Sequence, residues 1–126
     1  MTEQQLAQKL SNYMQLKHPT QLFHFDTGAD IFTNKTSAMR MSKLQGKNSK
    51  GHPDFILYLP TKKYGALFIE LKITSPFKKD GTLKKNKHLE TQNKYHQILR
   101  NKGYKVEFGT GFDECVKIIE DYISTS

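Results

Sequence analysis

Residues 51–72, which read GHPDFILYLPTKKYGALFIELK, contain two short runs of aliphatic and aromatic residues. The first run covers residues 54–59 and the second covers residues 66–71. A polar segment over residues 60–65, with proline at its start and glycine at its end, joins the two runs. Runs of this length separated by turn residues predict a β-hairpin.

Two acidic residues lie at the open end of this predicted hairpin. Asp54 begins its first strand and Glu70 lies near the end of its second strand, so we expect them to be cross-strand neighbours. Adjacent carboxylates repel each other, and a divalent cation relieves that repulsion. An oxygen-only ligand set suits Mg²⁺ or Mn²⁺ better than Zn²⁺. Lys72 follows Glu70 by two residues, so strand alternation points both side chains to one face.

Hydrophobic periodicity and turn residues outside the hairpin predict the other elements of the chain. A capping box and the helical spacing of apolar residues indicate a first helix, and a glycine ends a later one. The expected elements are a helix over 3–17, a strand over 22–25, a partly helical basic connector over 34–50, a helix over 88–102, a strand over 104–108 and a closing helix over 113–123. This order predicts an α/β fold.

Length and composition exclude several classes of protein. With 126 residues the chain suits a single domain that buries one core without covalent or metal cross-links. The lone cysteine, Cys115, excludes an internal disulfide framework and we expect it to be buried in the last helix. No apolar run reaches membrane-spanning length, and the first residues do not resemble a signal peptide. We therefore expect a soluble, cytoplasmic protein.

The net charge of +8 is concentrated in the middle of the chain. Residues 35–105 carry 17 basic and 4 acidic side chains, whereas residues 1–34 have a net charge of −1 and residues 106–126 have −4. A basic segment of this kind suits a polyanionic partner such as nucleic acid. Charge alone leaves a merely solvated lysine-rich surface equally open.

Three short motifs, taken in order, resemble a known family. GHPD at 51–54, FIELK at 68–72 and QNKY at 92–95 resemble the G-x-P-D, E-x-K and Q-x-x-W motifs of the VRR-NUC family in the PD-(D/E)xK nuclease superfamily. Leu99 and Gly103 also match that family, whereas Tyr95 replaces its usual tryptophan. The resemblance covers roughly residues 3–108.

The resemblance implies the fold and the catalytic residues. It implies a restriction-endonuclease-like αβββαβ core, with a mixed central sheet flanked by helices and an extra C-terminal helix, in one nuclease domain over residues 1–126. Asp54, Glu70, Lys72 and Gln92 would be catalytic, and Mg²⁺ or Mn²⁺ would be bound by Asp54, Glu70 and the backbone carbonyl of Leu71. Glu3 resembles a glutamate of the first helix that approaches the metal in this family.

The resemblance also implies a DNA substrate and a homodimer. The family acts on branched or flapped DNA, and the stand-alone form resembles phage-type Holliday junction resolvases, which act as homodimers. Phosphodiester hydrolysis would leave 5′-phosphate and 3′-hydroxyl ends. The likeness to phage-type nucleases also implies the cytoplasm of a bacterial or phage-infected cell. The lysines on either side of the motifs would contact DNA phosphates without reading bases; these are Lys43, Lys47, Lys50, Lys78, Lys79, Lys84, Lys85 and Lys87.

Three alternatives remain open at this point. The chain could be a nucleic-acid-binding protein that keeps the fold but does not cut, or a restriction-type or RNA-directed nuclease. The motifs could also be accidental in a basic structural protein. We expect His24 and His96 to be packing or surface residues. We do not expect His52 to be a general base, because the superfamily that the motifs resemble does not generally use a histidine at that position.

Overall fold

A computed structural model of the chain describes residues 1–26 and 51–126. Within these ranges the chain forms α1 (Glu3–Lys17), β1 (Phe23–Phe25), β2 (Phe55–Leu57), β3 (Leu67–Lys72), α2 (Lys87–Asn101), β4 (Lys105–Thr110) and α3 (Gly111–Ser124). The basic connector predicted over residues 34–50 lies outside the described residues. No helix in the described part of the chain is long and apolar enough to cross a membrane.

The four strands form one mixed sheet in the order β1-β2-β3-β4. The β1–β2 and β2–β3 pairs are antiparallel, and β4 lies parallel to β3 after the crossover through α2. This topology confirms the predicted α/β class with a mixed sheet, helices on its faces and a closing C-terminal helix.

Three strands differ in length from the predictions, and the smallest difference is that β1 begins at Phe23 rather than at residue 22. The β2 strand ends at Leu57 rather than at residue 59, since its pairing with β1 and with β3 covers only Phe55–Leu57. The Tyr58 amide adds one more bond in the β1–β2 register, to the carbonyl of Leu22 at 2.9 Å. The β4 strand continues to Thr110, since it pairs with all six residues of β3. Gly109 permits this continuation, because a Cβ at that position would lie 2.5 Å from the Sγ atom of Cys115.

The sheet is covered on both faces by apolar side chains. Alternate residues of β3, including Ile69, face α1 and α3, and the core on that side contains Leu6, Leu10, Met14, Cys115, Ile119 and Tyr122. The intervening residue Phe68 faces the opposite side, where it packs with Ile56, Val106 and Leu99 of α2. Cys115 is fully buried, as predicted. Strand alternation consequently directs Glu70 and Lys72 to the α2 face.

Candidate active site

Asp54 and Glu70 meet at the end of the β2–β3 ladder. Phe55 pairs with Ile69, and continuing this antiparallel register by one residue places Asp54 opposite Glu70. The two carboxyl groups are close enough for each to affect the pKa of the other. The backbone amide of Leu71 also donates a hydrogen bond of 2.9 Å to the Oδ2 atom of Asp54. The strand ends thus hold two carboxyl groups together, as the hairpin pattern predicts.

The environment of these two carboxyl groups disfavours their joint ionisation. Burial is the main cause that raises the pKa of Asp54 to about 8, and the adjacent Glu70 raises it further. Burial also raises the pKa of Glu70, whose side chain is almost fully buried. Two acids held in this way retain a proton near neutral pH unless a cation replaces it. The pair is therefore suited to binding a positively charged ion.

Lys72 brings a positive charge to the same face of the sheet. Its ammonium group lowers the pKa of both Asp54 and Glu70, although burial outweighs this effect. The Nζ atom lies 6.0 Å from the centroid of the Phe108 ring. Lys72 also lines an open cleft of about 310 Å³, whose walls include Glu3, Thr74, Lys84, Asn86 and His88. The lysine thus links the carboxyl pair to an accessible cleft.

The start of α1 brings Glu3 to this cleft. Thr2 caps the helix, since its Oγ1 atom accepts a hydrogen bond of 3.1 Å from the amide of Gln5, and the Gln5 side chain bonds back to the Thr2 amide at 2.8 Å. This capping box fixes the helix start and places Glu3 in the first turn. The negative charge of Glu3 raises the pKa of Glu70, although burial is the larger cause.

The α2 helix forms the wall above the carboxyl pair. Leu89, Gln92 and His96 are its buried residues, and their spacing places them on one side of the helix. The loop before Asp54 packs against this helix at Gly51, where a Cβ would lie 2.9 Å from the carbonyl oxygen of Thr91. The close approach and the φ of +91° explain the glycine in the GHPD motif.

The comparison with solved structures identifies this architecture. A solved VRR_NUC domain protein matches with a TM-score of 0.68, at 18% sequence identity, over 100% of this chain and 91% of its own. The chain has the VRR-NUC fold. No protein-family model matches the sequence, and no curated protein does so either. The fold expected from the motifs is therefore confirmed by the structure rather than by overall sequence similarity.

The donor set of this VRR-NUC fold fits a hard divalent cation. No group of three or more His, Cys, Asp or Glu side chains in residues 1–26 and 51–126 is arranged as a metal site. Asp54 and Glu70 are therefore two candidate ligands. Glu3 lines the neighbouring cleft but does not complete a group of three ligands with them. Two carboxylates with remaining positions open to water or phosphate suit Mg²⁺. The Oε1 atom of Glu70 is buried without a hydrogen-bond partner within the described ranges, which leaves it available as a ligand.

Gln92 lies at the site with part of its amide unpaired. Its side chain is buried, and its Nε2 atom lies 3.2 Å from the Nε2 atom of His88, which lines the cleft. The Oε1 atom of Gln92 has no partner among the described residues. An unpaired buried acceptor can receive a hydrogen bond from a water molecule or another donor, or can contact a cation. The role predicted for Gln92 remains a prediction.

The VRR-NUC fold also brings two residues to the site that the sequence did not reveal. His96 is fully buried, and its Nε2 atom lies 3.5 Å from the Oε1 atom of Glu70. Burial lowers the pKa of His96 to about 4, with Arg100 and Lys72 as lesser causes, so the ring is neutral despite the nearby carboxyl group. Its place four residues after Gln92 is the one sequence signal that links it to the site.

Asp26 is the second residue that the sequence motifs did not identify. It follows β1, and its backbone amide donates a hydrogen bond of 2.7 Å to the carbonyl of Asp54. Its side chain lies 3.4 Å from the Nδ1 atom of His52, and its charge raises the pKa of Glu70. The His52 ring packs against Tyr95 with 5.5 Å between ring centroids. His52 is thus engaged in structural contacts beside the pair.

The predicted DNA-binding lysines divide into two groups. The following lysines are all exposed on the loop after β3 or at the start of α2: Lys78, Lys79, Lys84, Lys85 and Lys87. The loop is ordered by a bridge between Phe77 and Leu83. Of these lysines, Lys84 lines the cleft. Lys43, Lys47 and Lys50 lie outside the described residues.

Proposed function

We propose that this protein is a Mg²⁺-dependent or Mn²⁺-dependent endonuclease that hydrolyses phosphodiester bonds in DNA. The observation that carries the proposal is the pairing of Asp54 with Glu70 at the strand ends, with Lys72 on the same face. The VRR-NUC fold supports a nuclease-type domain. The proposal rests on the chemistry of this site in that fold.

The carboxyl groups of Asp54 and Glu70 would hold the cation, together with the backbone carbonyl of Leu71. When bound, a divalent cation supplies Lewis acidity that polarises the scissile phosphate and lowers the pKa of water. Lys72 would orient the attacking water and offset the negative charge that develops on the phosphate. The amide of Gln92 would add a hydrogen bond to the water or to a phosphate oxygen.

The proposed reaction is a hydrolytic displacement at phosphorus. The oxygen of a water molecule forms a bond to phosphorus while the bond from phosphorus to the 3′ oxygen breaks. One proton of the water ends on the 3′ hydroxyl group, and the other stays on the new 5′-phosphate or passes to solvent. The positive charge of Lys72, beside Glu70 and open to the cleft, stabilises the charge that accumulates in the transition state.

The exposed lysines support duplex phosphates as the binding partner of this site. Phosphate contacts position DNA without reading its sequence, so the substrate would be recognised by its shape. We include in the proposal that the substrate is branched DNA, such as a flap or a Holliday junction, and that a homodimer makes paired cuts in a junction. Both parts derive from the resemblance to stand-alone nucleases of this fold.

A cleavage panel tests the proposed function. Four-way junction, flap, nicked, linear and single-stranded DNA are incubated with the protein and Mg²⁺, Mn²⁺ or EDTA. We expect cutting with either metal, none with EDTA, and a loss on the order of 10²–10³-fold or more in Asp54→Ala and Glu70→Ala. Asp121→Ala is the matched control, because Asp121 is an exposed acid on α3 paired with Lys117 at 2.8 Å.

The same panel separates the proposal from its main alternative. Undiminished cutting by Asp54→Ala and Glu70→Ala, in preparations as pure as the control, would refute this active site. Binding of DNA without cutting in any metal would instead indicate a non-catalytic nucleic-acid-binding protein. Sedimentation of the protein with and without a junction tests the homodimer.

A further inference from the structure

Packing alone does not explain why a histidine is buried at position 96. It is 0% exposed, yet both of its ring nitrogens lack a hydrogen-bond partner within the described residues. Burying unpaired polar atoms is unfavourable, and a leucine would fill a similar volume without that cost. Its neighbour across the helix–sheet interface, the Oε1 atom of Glu70, is also buried and unpaired within the same part of the chain. Two orphaned polar groups thus lie side by side beneath the site.

The geometry allows these two groups to satisfy each other. The Nε2 atom of His96 lies 3.5 Å from the Oε1 atom of Glu70, which is just beyond an ordinary hydrogen bond. A shift of a few tenths of an ångström by either side chain closes the gap. The Phe108 ring packs against the imidazole with 4.8 Å between ring centroids, and it restricts the orientation of the ring. The imidazole is therefore held with its Nε2 edge toward the carboxyl group.

The charges around His96 come from several elements. Lys72 and Arg100 disfavour a positive charge on the imidazole, whereas Asp54 and Glu107 favour it. A hydrogen bond from His96 to Glu70 requires no change of charge, since a neutral imidazole with its proton on Nε2 is a donor. A carboxylate that binds a metal is commonly held by such a hydrogen bond from behind, and removing the donor weakens the site.

We propose that His96 is a positioning residue, whose Nε2–H group donates a hydrogen bond to the Oε1 atom of Glu70 and orients this carboxylate toward the divalent cation. The inference rests on the proposed function, because it assigns to Glu70 the role of a metal ligand. It adds a residue of α2 that itself binds neither the cation nor the substrate. The α2 helix thereby controls the orientation of the Glu70 carboxylate as well as covering the sheet.

Two variants separate the hydrogen bond from the packing. His96→Leu retains an apolar side chain of similar size but removes the donor, whereas His96→Gln places an amide N–H near the position of Nε2. Leu99→Ala is the matched control, because this apolar residue of the same helix packs against the buried cluster that contains Phe68 and Val106, and its truncation removes no polar group. Mn²⁺ affinity is measured by calorimetry for the wild type and each variant, and folding is followed by thermal melting in EDTA.

We expect His96→Leu to bind Mn²⁺ about 10–100-fold more weakly while melting in EDTA at the same temperature as the wild type or above it. His96→Gln should recover most of the affinity, and Leu99→Ala should lower the melting temperature with little effect on affinity. Unchanged affinity in a folded His96→Leu protein would overturn the inference.

A second measurement tests His96 without any metal. Nitrogen-15 spectra of the histidine rings in the metal-free wild type show which nitrogen carries the proton. We expect the proton on Nε2 of His96, and a proton on Nδ1 would overturn the inference even if His96→Leu did not fold. Failure of the wild type to bind Mn²⁺ would instead refute the proposed function, and the ring spectrum would then decide the His96–Glu70 bond by itself.

Discussion

Replacing Asp54 by asparagine should stabilise the metal-free protein at pH 8. The substitution removes one of two adjacent buried carboxyl groups. It keeps a side-chain oxygen that can accept the hydrogen bond from the Leu71 amide. In EDTA no divalent cation offsets the cost of burying the charges of the two acids or the repulsion between them. The carboxyl pair that is suited to bind a metal is therefore expected to destabilise the fold in its absence.

The magnitude follows from the pKa of Asp54. Burial and Glu70 raise this pKa from 3.8 to about 8, so the folded protein binds the proton more tightly than the unfolded chain does. The resulting stability is fully present below about pH 4 and is lost as the pH rises toward 8. The rise corresponds to a maximum of about 6 kcal/mol, and solvent access together with proton sharing reduces it to roughly 2–3 kcal/mol.

Urea denaturation in EDTA between pH 5 and 8.5 measures this effect. The free energy of unfolding of the wild type should fall across this range, whereas Asp54→Asn should change less and exceed the wild type by roughly 2–3 kcal/mol at pH 8. The free energy of unfolding of the variant should still fall with pH, but less steeply, because burial also raises the pKa of Glu70. Asp121→Asn, at an exposed ion pair, should cost at most about 1 kcal/mol without changing the slope.

The opposite ranking would refute the reasoning. If Asp54→Asn were no more stable than the wild type at pH 8, burial and the adjacent Glu70 would not disfavour the charged form of Asp54 in the folded protein. Equal m-values for the two proteins are required for the comparison, because they show that the same surface is exposed on unfolding.

The remaining predictions concern Lys72, Gly51 and the exposed lysines. Lys72→Ala should retain Mn²⁺ binding by calorimetry but lose cleavage on the order of 10²–10³-fold, and equal cleavage would contradict its role. Gly51→Ala should lower the free energy of unfolding by about 1–3 kcal/mol, because φ is +91° and the new Cβ would meet the Thr91 carbonyl. Gly81→Ala is the control for the backbone strain alone, because φ is +88° there and the new Cβ would have no atom within 4 Å. Affinity for duplex DNA should fall steeply as the salt concentration rises. Each replacement of a lysine in residues 78–87 by alanine should reduce the slope of log affinity against log salt concentration by about one, and a flat salt titration would exclude phosphate contacts.

The hairpin and the helices were predictable because their signals are local. The β-forming residues of 66–71 and the turn over 60–65 specify two antiparallel strands without reference to the rest of the chain. The capping box at Thr2 likewise marks the start of α1 at Glu3, as observed. The end of β2 was not predictable in this way, because its length depends on pairing with β1, which is distant in sequence, and that pairing covers only Phe55–Leu57.

The sequence by itself determined that Asp54, Glu70 and Lys72 share one end and one face of a hairpin, because strand register and alternation are properties of adjacent residues. Only the tertiary structure decided that His96 lies against Glu70. Helical periodicity predicts which residues of α2 share a side, but the rotation and height of the helix over the sheet depend on packing against residues from other strands, such as Phe108. That packing places the buried His96 beside the carboxyl pair.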